Sequence, residues 1–350
     1  MTAVGSFFSD NEATVAAPIM QALQAVNADA VHSYGDDPTT AALEARLREW
    51  FERDDLQVFP VVTGTAANSL AAAQLVPPYG ALYCQQHAHV NTDECGAPEF
   101  FTAGAKLIGI EGEHGKIDAG AFARVLSTAG DLGVHEVRPC ALTLTQGTEL
   151  GTVYTRQEVQ ALADLAHDRD LSVHMDGARF ANALVHLGCK PADITWRAGI
   201  DMLSLGATKN GAMAAEALIT FGSEQHGEAL AFRRKRAGHL LSKQRYVSAQ
   251  LLAWLENDLW RDLAGRANRG AQRLSAGLQR LAQVEVAHPT QINEVFVVMP
   301  PALVAGLHEQ GFGFYDWPGG LANLHRLVVR WDTPDEHIEA LLDSARRLTN

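Results

Sequence analysis

Continuous apolar runs punctuate the chain: QVFPVVTG (57–64), GALYCQQ (80–86), KLIGIEG (106–112), CALTLTQG (140–147), LSVHMD (171–176), MLSLGA (202–207) and EALITFG (216–222). Short runs bounded by glycine and polar turns read as strands, and their continuity marks strands covered on both faces. Between several of them the apolar positions shift to helical spacing, as in AANSLAAAQLV (66–76) and RQEVQALADLAHDRD (156–170). TTAALEARLREWFE (39–52) is an amphipathic helix starting on threonine. Strands separated by helices predict an α/β fold with a mainly parallel sheet of roughly seven strands flanked by helices. Beyond about residue 225 the pattern changes. A long basic helical stretch (259–282) precedes the short strand patterns VEVAHP (284–289), EVFVVMP (294–300) and RLVVRWD (326–332), and the chain ends in the helical DEHIEALLDSARRL (335–348). The expected organisation is an arm over 1–30 (helical at 12–28), a large domain over 31–245 and a smaller α+β domain over 246–350.

Charge narrows the function. The 350 residues carry 28 Lys+Arg against 41 Asp+Glu, a net −13, and the longest basic run is RRKR at 233–236. That balance argues against nucleic acid or an anionic membrane as partner, but allows small anions wherever a few cations converge. The start of the chain lacks a basic segment followed by an apolar one, and no apolar stretch reaches the roughly 18 residues of a membrane span. The expected location is the cytoplasm. The cysteines at 84, 95, 140 and 189 form no C-x-x-C pair and read as free thiols, three of them in apolar surroundings.

Ligands of open α/β sheets bind at the carboxyl ends of the strands, so the residues following each run are the candidates. After QVFPVV, Gly64, Thr65 and Ala66 open a helix whose first N–H groups suit an anion. After LSVHM comes Asp176, with Arg179 three residues on and His174 two before it on the same face. After MLSLGA comes Lys209, at a buried strand end where lost hydration favours the nucleophilic amine. Taken singly these have ordinary readings: a capped helix, an ion pair, a surface lysine. Together they supply a phosphate site, a carboxylate for a pyridine nitrogen and an amine for an aldehyde, which are the needs of pyridoxal phosphate. A competing reading is a metal-dependent hydrolase: His87 and His89 stand at i and i+2, with Asp93, Glu94 and Cys95 nearby.

YGDDPTT (34–40), GTAAN (64–68), HMDGAR (174–179) and GATKNG (206–211), with FFSDN (7–11) and RLVVRWDT (326–333), resemble the fold type I pyridoxal-phosphate enzymes, specifically the low-specificity L-threonine aldolases of the β-eliminating lyase superfamily. HVNTDECGAPEFF (89–101) and TLTQGTELGTVYT (143–155) resemble the branch with phenylserine-active bacterial aldolases. The resemblance implies that Lys209 binds the cofactor aldehyde as a Schiff base and that Asp176 pairs with the pyridine nitrogen. By the same resemblance His89 stacks on the ring, Gly64, Thr65 and Ala66 hold the phosphate, and Arg179 reaches the ring oxygen and the substrate carboxylate. Ser9 and Arg326 would complete the carboxylate clamp, with Tyr34 near the substrate. Lys243, in AGHLLSKQRY, replaces the arginine of the family's GG-x-x-R-Q segment. Glu149 stands where many members carry a histidine two residues before the glycine matching Gly151.

The implied activity is cleavage of L-3-hydroxy-α-amino acids, such as L-threonine, L-allo-threonine and L-phenylserine, to glycine and an aldehyde, without a metal. The alternatives within the fold are a β-eliminating lyase or an aminotransferase. A homodimer or homotetramer is expected, with YGDD and the segment around Lys243 at a shared site. An ordinary carboxyl value of about 4.3 against about 6.5 for imidazole makes His89 the expected larger contributor to proton removal, and Glu149 a residue that tunes the hydroxyl.

Overall fold

The computed structural model describes residues 5–222, 224–318 and 321–349, with side chains left out at 224–226. Its thirteen strands, in chain order, begin with β1 (Gly5–Ser6), β2 (Gln57–Val61), β3 (Gly80–Gln85), β4 (Lys106–Ile110), β5 (Arg138–Thr145), β6 (Ser172–Gly177), β7 (Met202–Gly206) and β8 (Glu216–Thr220). They continue with β9 (Glu285–Val286), β10 (Glu294–Val298), β11 (Phe312–Gly313), β12 (Tyr315–Asp316) and β13 (Leu324–Val328).

Seven of them form the main sheet in the order β2-β8-β7-β6-β5-β3-β4. All neighbours in it are parallel except β8, which is antiparallel to both β2 and β7. The exception has a local cause. Only residues 207–215 join β7 to β8, too few for a crossover of a dozen or more residues, so the chain must turn straight back. Lys209 sits in that turn. The carboxyl ends of β2, β7, β6, β5 and β3 and the amino end of β8 therefore share one edge of the sheet.

The helix Gly64–Leu75 shows why the sequence there is so small. Residues 66 to 73 are all buried, and five of them are alanine, so the helix can lie close against the sheet on one side and other helices on the other. The arm is less helical than its pattern suggests. A 3-10 turn occupies Asp10–Glu12, and the helix spans only Ala17–Ala25, because Pro18 fits the first turn of a helix but not its interior. The arm also adds β1 beside β11, far away in sequence.

The carboxy-terminal part forms a second sheet, β12-β13-β10-β9, antiparallel throughout, over its own core of Leu274, Val295, Val297, Leu327 and Leu341. The long helix Leu259–Leu278 packs on it from one side and reaches the helix Phe180–Leu187, which follows β6, on the other. Among the described residues no helix is long and apolar enough to cross a membrane.

Candidate active site

A cavity of about 250 Å³ opens at the shared strand edge, lined by the ends of β2, β5, β6 and β7 and the start of β8. It brings together Gly64, Thr65, His89, Glu149, Asp176, Arg179 and Lys209.

The anion cradle comes from β2. Thr63 caps the helix Gly64–Leu75, its hydroxyl accepting the Ala66 N–H at 3.2 Å, while the Ala67 N–H bonds the Thr63 carbonyl. Among the described residues the Gly64 and Thr65 amides bond to nothing, and a Cβ at Gly64 would meet no atom within 4 Å. Two free amides at a helix start and a bare backbone suit a phosphate. Ala66 does not share this role, since its amide is taken by the cap.

Asp176, at the end of β6, is buried and held from two sides. Asn68 Nδ2 donates to Oδ2 at 2.8 Å and the Ala178 N–H donates to Oδ1 at 2.9 Å. Asn68 Nδ2 also donates to Glu94 Oε1 at 2.8 Å, and that same oxygen lies 2.8 Å from His89 Nδ1. His89 and Asp176 are thus fixed by one chain of polar contacts through Asn68 and Glu94. The bond to Glu94 raises the His89 pKa, against burial. His174 is not part of this machinery. Its ring spans Thr143 Oγ1 (2.8 Å) and Ser204 Oγ (2.9 Å) on the flanking strands, and burial pushes it down to about 4, so it stays neutral inside the sheet.

Glu149 sits in the loop after β5, its Oε1 accepting the His89 N–H and the Thr145 hydroxyl, both at 2.8 Å. Its Oε2 is buried and unpartnered among the described residues. Burial pushes this carboxyl up to about 7, against those hydrogen bonds. The ordinary carboxyl value that ranks His89 above Glu149 therefore does not apply to Glu149 in the fold. Burial of Glu149 disfavours its charge and lifts it well above an ordinary carboxyl, while the bond to Glu94 lifts His89.

Lys209 lies in the 3-10 turn Thr208–Asn210, and among the described residues its amine has no hydrogen bond or ion pair. Its charge still reaches Asp10, Glu216 and Glu294. Glu216, a cavity residue with no signal in the sequence beyond its place at the start of an apolar run, is buried beside Gly206. Burial pushes it up to about 7, against the Thr208 contact and the Lys209 charge.

Behind the cavity lies a buried ionic cluster. Arg179 donates from Nε and Nη2 to Asp10 at 2.8 and 3.1 Å, and Nη2 is 3.2 Å from Glu294. Arg326 does not line the cavity. Its guanidinium lies 3.7 Å from Glu294 and over the rings of Tyr315 and Trp317. Burial works to raise Asp10, but Arg179 and Lys209 outweigh it and hold it down at about 2. Asp10, Asn68 and Glu294 have no role assigned from the sequence, although the first two lie in FFSDN and GTAAN; Glu94 enters there only as a metal-ligand candidate.

Three more expected residues stand outside the cavity. The Ser9 hydroxyl caps the turn Asp10–Glu12, accepting from Asn11 N, and Asn11 is the residue that lines the cavity. Tyr34 is exposed, its ring under the Lys235 amine at 4.4 Å. Lys243 is on the surface near the start of the helix Arg245–Leu255. His87 is exposed and does not line the cavity, and among the described residues no group of three or more His, Cys, Asp or Glu side chains is placed to hold a metal.

The donor set fits pyridoxal phosphate. The free amides of Gly64 and Thr65 would hold its phosphate, the doubly anchored Asp176 carboxylate would pair with its ring nitrogen, and the unpaired Lys209 amine would take its aldehyde. The comparisons agree with this. Residues 6–300 match the model of the β-eliminating lyase family. The low specificity L-threonine aldolase of Pseudomonas sp. (strain NCIMB 10558) is 38% identical over 340 residues, covering 97% of this chain and 96% of the relative. The enzyme of the same name from Pseudomonas aeruginosa is 38% identical over 341 residues, with the same coverage. Among solved structures, the threonine aldolase of Leishmania major superposes with a TM-score of 0.92 at 27% identity, covering 99% of this chain and 100% of that one.

Proposed function

Because the chain belongs to the β-eliminating lyase family, whose chemistry uses pyridoxal phosphate, we propose that it is a threonine-type aldolase cleaving L-3-hydroxy-α-amino acids to glycine and an aldehyde. The observation that carries the reading is the convergence of Lys209, Asp176 and the free Gly64 and Thr65 amides on one cavity, beside a buried carboxyl that titrates near neutrality. The bound cofactor supplies an electron sink for the bond broken at Cα. The remaining work falls to side chains. Arg179, which lines the cavity, would receive the substrate carboxylate, with Arg326 behind it across Glu294 completing the clamp, and so decide which Cα bond is presented for cleavage. Asp176 holds a proton on the ring nitrogen. Glu149 takes the proton of the β-hydroxyl, and Cα–Cβ then breaks to release the aldehyde.

L-threonine, L-allo-threonine and L-phenylserine are the substrates in this reading. Discrimination between the two β-configurations is modest, since one carboxylate can be reached from either through a water. Incubation of the holoenzyme with each, followed by assay for glycine and the aldehyde, tests the proposal. Release of ammonia and a keto acid instead would make the protein a β-eliminating lyase. Assembly as a homodimer or homotetramer belongs to the same reading, with Tyr34 and Lys243, both outside the cavity of one chain, at a site shared between subunits.

Glu149 and His89 make separable predictions. Glu149→Gln should lower kcat by about 10²–10⁴-fold, the range for a lost general base. The wild-type kcat should rise with pH through about 7, as the carboxyl ionises, and this limb should vanish in the variant. His89→Asn should act chiefly on cofactor affinity. A pH–rate series on both variants decides it: a larger kcat loss in His89→Asn at full cofactor occupancy would make His89 the base.

A further inference from the structure

Arg179 and Arg326, the two guanidiniums assigned to an amino-acid carboxylate, already face two buried carboxyls of the protein. Asp10 is well supported: it accepts two bonds from Arg179 and a third from Asn293 Nδ2 at 3.1 Å. Glu294 is not. It is 1% exposed, its Oε1 lies 3.2 Å from Arg179 and 3.7 Å from Arg326, and yet neither of its oxygens accepts a hydrogen bond among the described residues. Two cations, Arg179 and Arg326, stand here against two anions, Asp10 and Glu294, and Lys209, whose charge also reaches both carboxyls, is the residue that the cofactor aldehyde would take. A substrate carboxylate adds a third negative charge where burial makes a surplus costly. The least costly relief is a proton on the least supported carboxyl.

We propose that Glu294 takes up a proton when an amino-acid carboxylate binds at Arg179 and Arg326, making it a positioning residue that keeps both arginines charged, oriented and available to substrate. The inference rests on the amino-acid substrate proposed above.

The surroundings of Glu294 set the direction. Asp10 comes from the amino-terminal turn, Arg179 from the end of β6, Lys209 from the turn after β7 and Arg326 from β13. His325 on β13 pairs with Asp316 on β12, and the loop after β5 carries Glu149 and lays Gly151 against the Glu294 backbone. Glu285 on β9 is exposed, and the helix Leu259–Leu278 turns Arg261, Arg266, Arg269 and Arg273 to solvent. Burial raises the Glu294 pKa, against Arg179, Arg326 and Lys209, and Asp10 raises it further. A bound carboxylate acts in the same direction as Asp10. The complex then holds more protons than the free site, so substrate affinity falls as pH rises.

Calorimetry on the holoenzyme tests this with two probes, glycine and methylamine, in buffers of different ionisation heat. Both present an amine to the cofactor, but only glycine brings a carboxylate. Glycine should take up more protons than methylamine, the difference approaching about one. Glycine affinity should weaken by up to about tenfold per pH unit above the midpoint. In Glu294→Gln both the difference and this pH dependence should disappear. Equal proton counts for the two probes in the wild type would overturn the proposal, and that comparison stands even if the variant does not fold. Proton uptake without aldehyde release from L-threonine would refute the reaction but not the role of Glu294. Aldehyde release without the uptake would do the reverse.

Discussion

Lys209→Ala is expected to abolish turnover while leaving the fold intact. The fold should survive because, among the described residues, the Lys209 amine makes no hydrogen bond or ion pair that its removal would break. The main structural effect is electrostatic, since Asp10, Glu216 and Glu294 lose a nearby positive charge. Turnover should not survive, because no other lysine lines the cavity. The loss should exceed the roughly 10²–10⁴-fold of a missing acid or base, since the group that holds the cofactor covalently is itself removed. Borohydride reduction of the holoenzyme followed by peptide mapping checks the assignment independently. The label should fall on the peptide containing GATKNG (206–211), and a label on Lys243 or any other lysine would refute the role of Lys209.

Asp176→Asn should give the second largest effect, a fall in kcat on the order of 10³-fold, comparable with the loss of one preorganised electrostatic contact to a developing charge. A neutral amide cannot hold the ring nitrogen protonated, so the electron sink weakens although the geometry is nearly kept. There is also a local cost. Asp176 accepts from Asn68 Nδ2 on one oxygen and from the Ala178 N–H on the other, so an amide at position 176 would set its NH2 against one of these donors, and keeping the Ala178 bond would require Asn68 to turn its unpartnered Oδ1 toward it. Turning Asn68 would release Glu94 and loosen its hold on His89. Cofactor should still bind through Lys209 and the amides of Gly64 and Thr65. The measurement is kcat with cofactor occupancy determined on the same sample. Near-normal kcat at full occupancy would refute the role of Asp176.

Much of this site is written in contiguous residues. Short apolar runs made the strands, and Gly64 and Thr65 after β2, Asp176 at the end of β6 with Arg179 beyond it, and Lys209 after β7 reached the cavity, because the end of a strand fixes where its next residues go. The amino-acid sequence also marked His89 and Glu149 through short motifs. Tertiary structure decided the rest. The reversal of β8 brought Glu216 to the cavity edge, and Asp10 came to share Arg179 with Glu294, most of the chain away in sequence. Asn68 and Glu94 became the link between Asp176 and His89 only once the helix Gly64–Leu75 lay against the loop after β3. Charge state was the least legible property. The same glutamate type is an ordinary acid in water, yet burial brings Glu149 and Glu216 to about 7, while Arg179 and Lys209 outweigh burial and take Asp10 to about 2. Sequence specifies which groups exist and where along a strand they stand; desolvation and the sum of nearby charges exist only when distant segments have packed together.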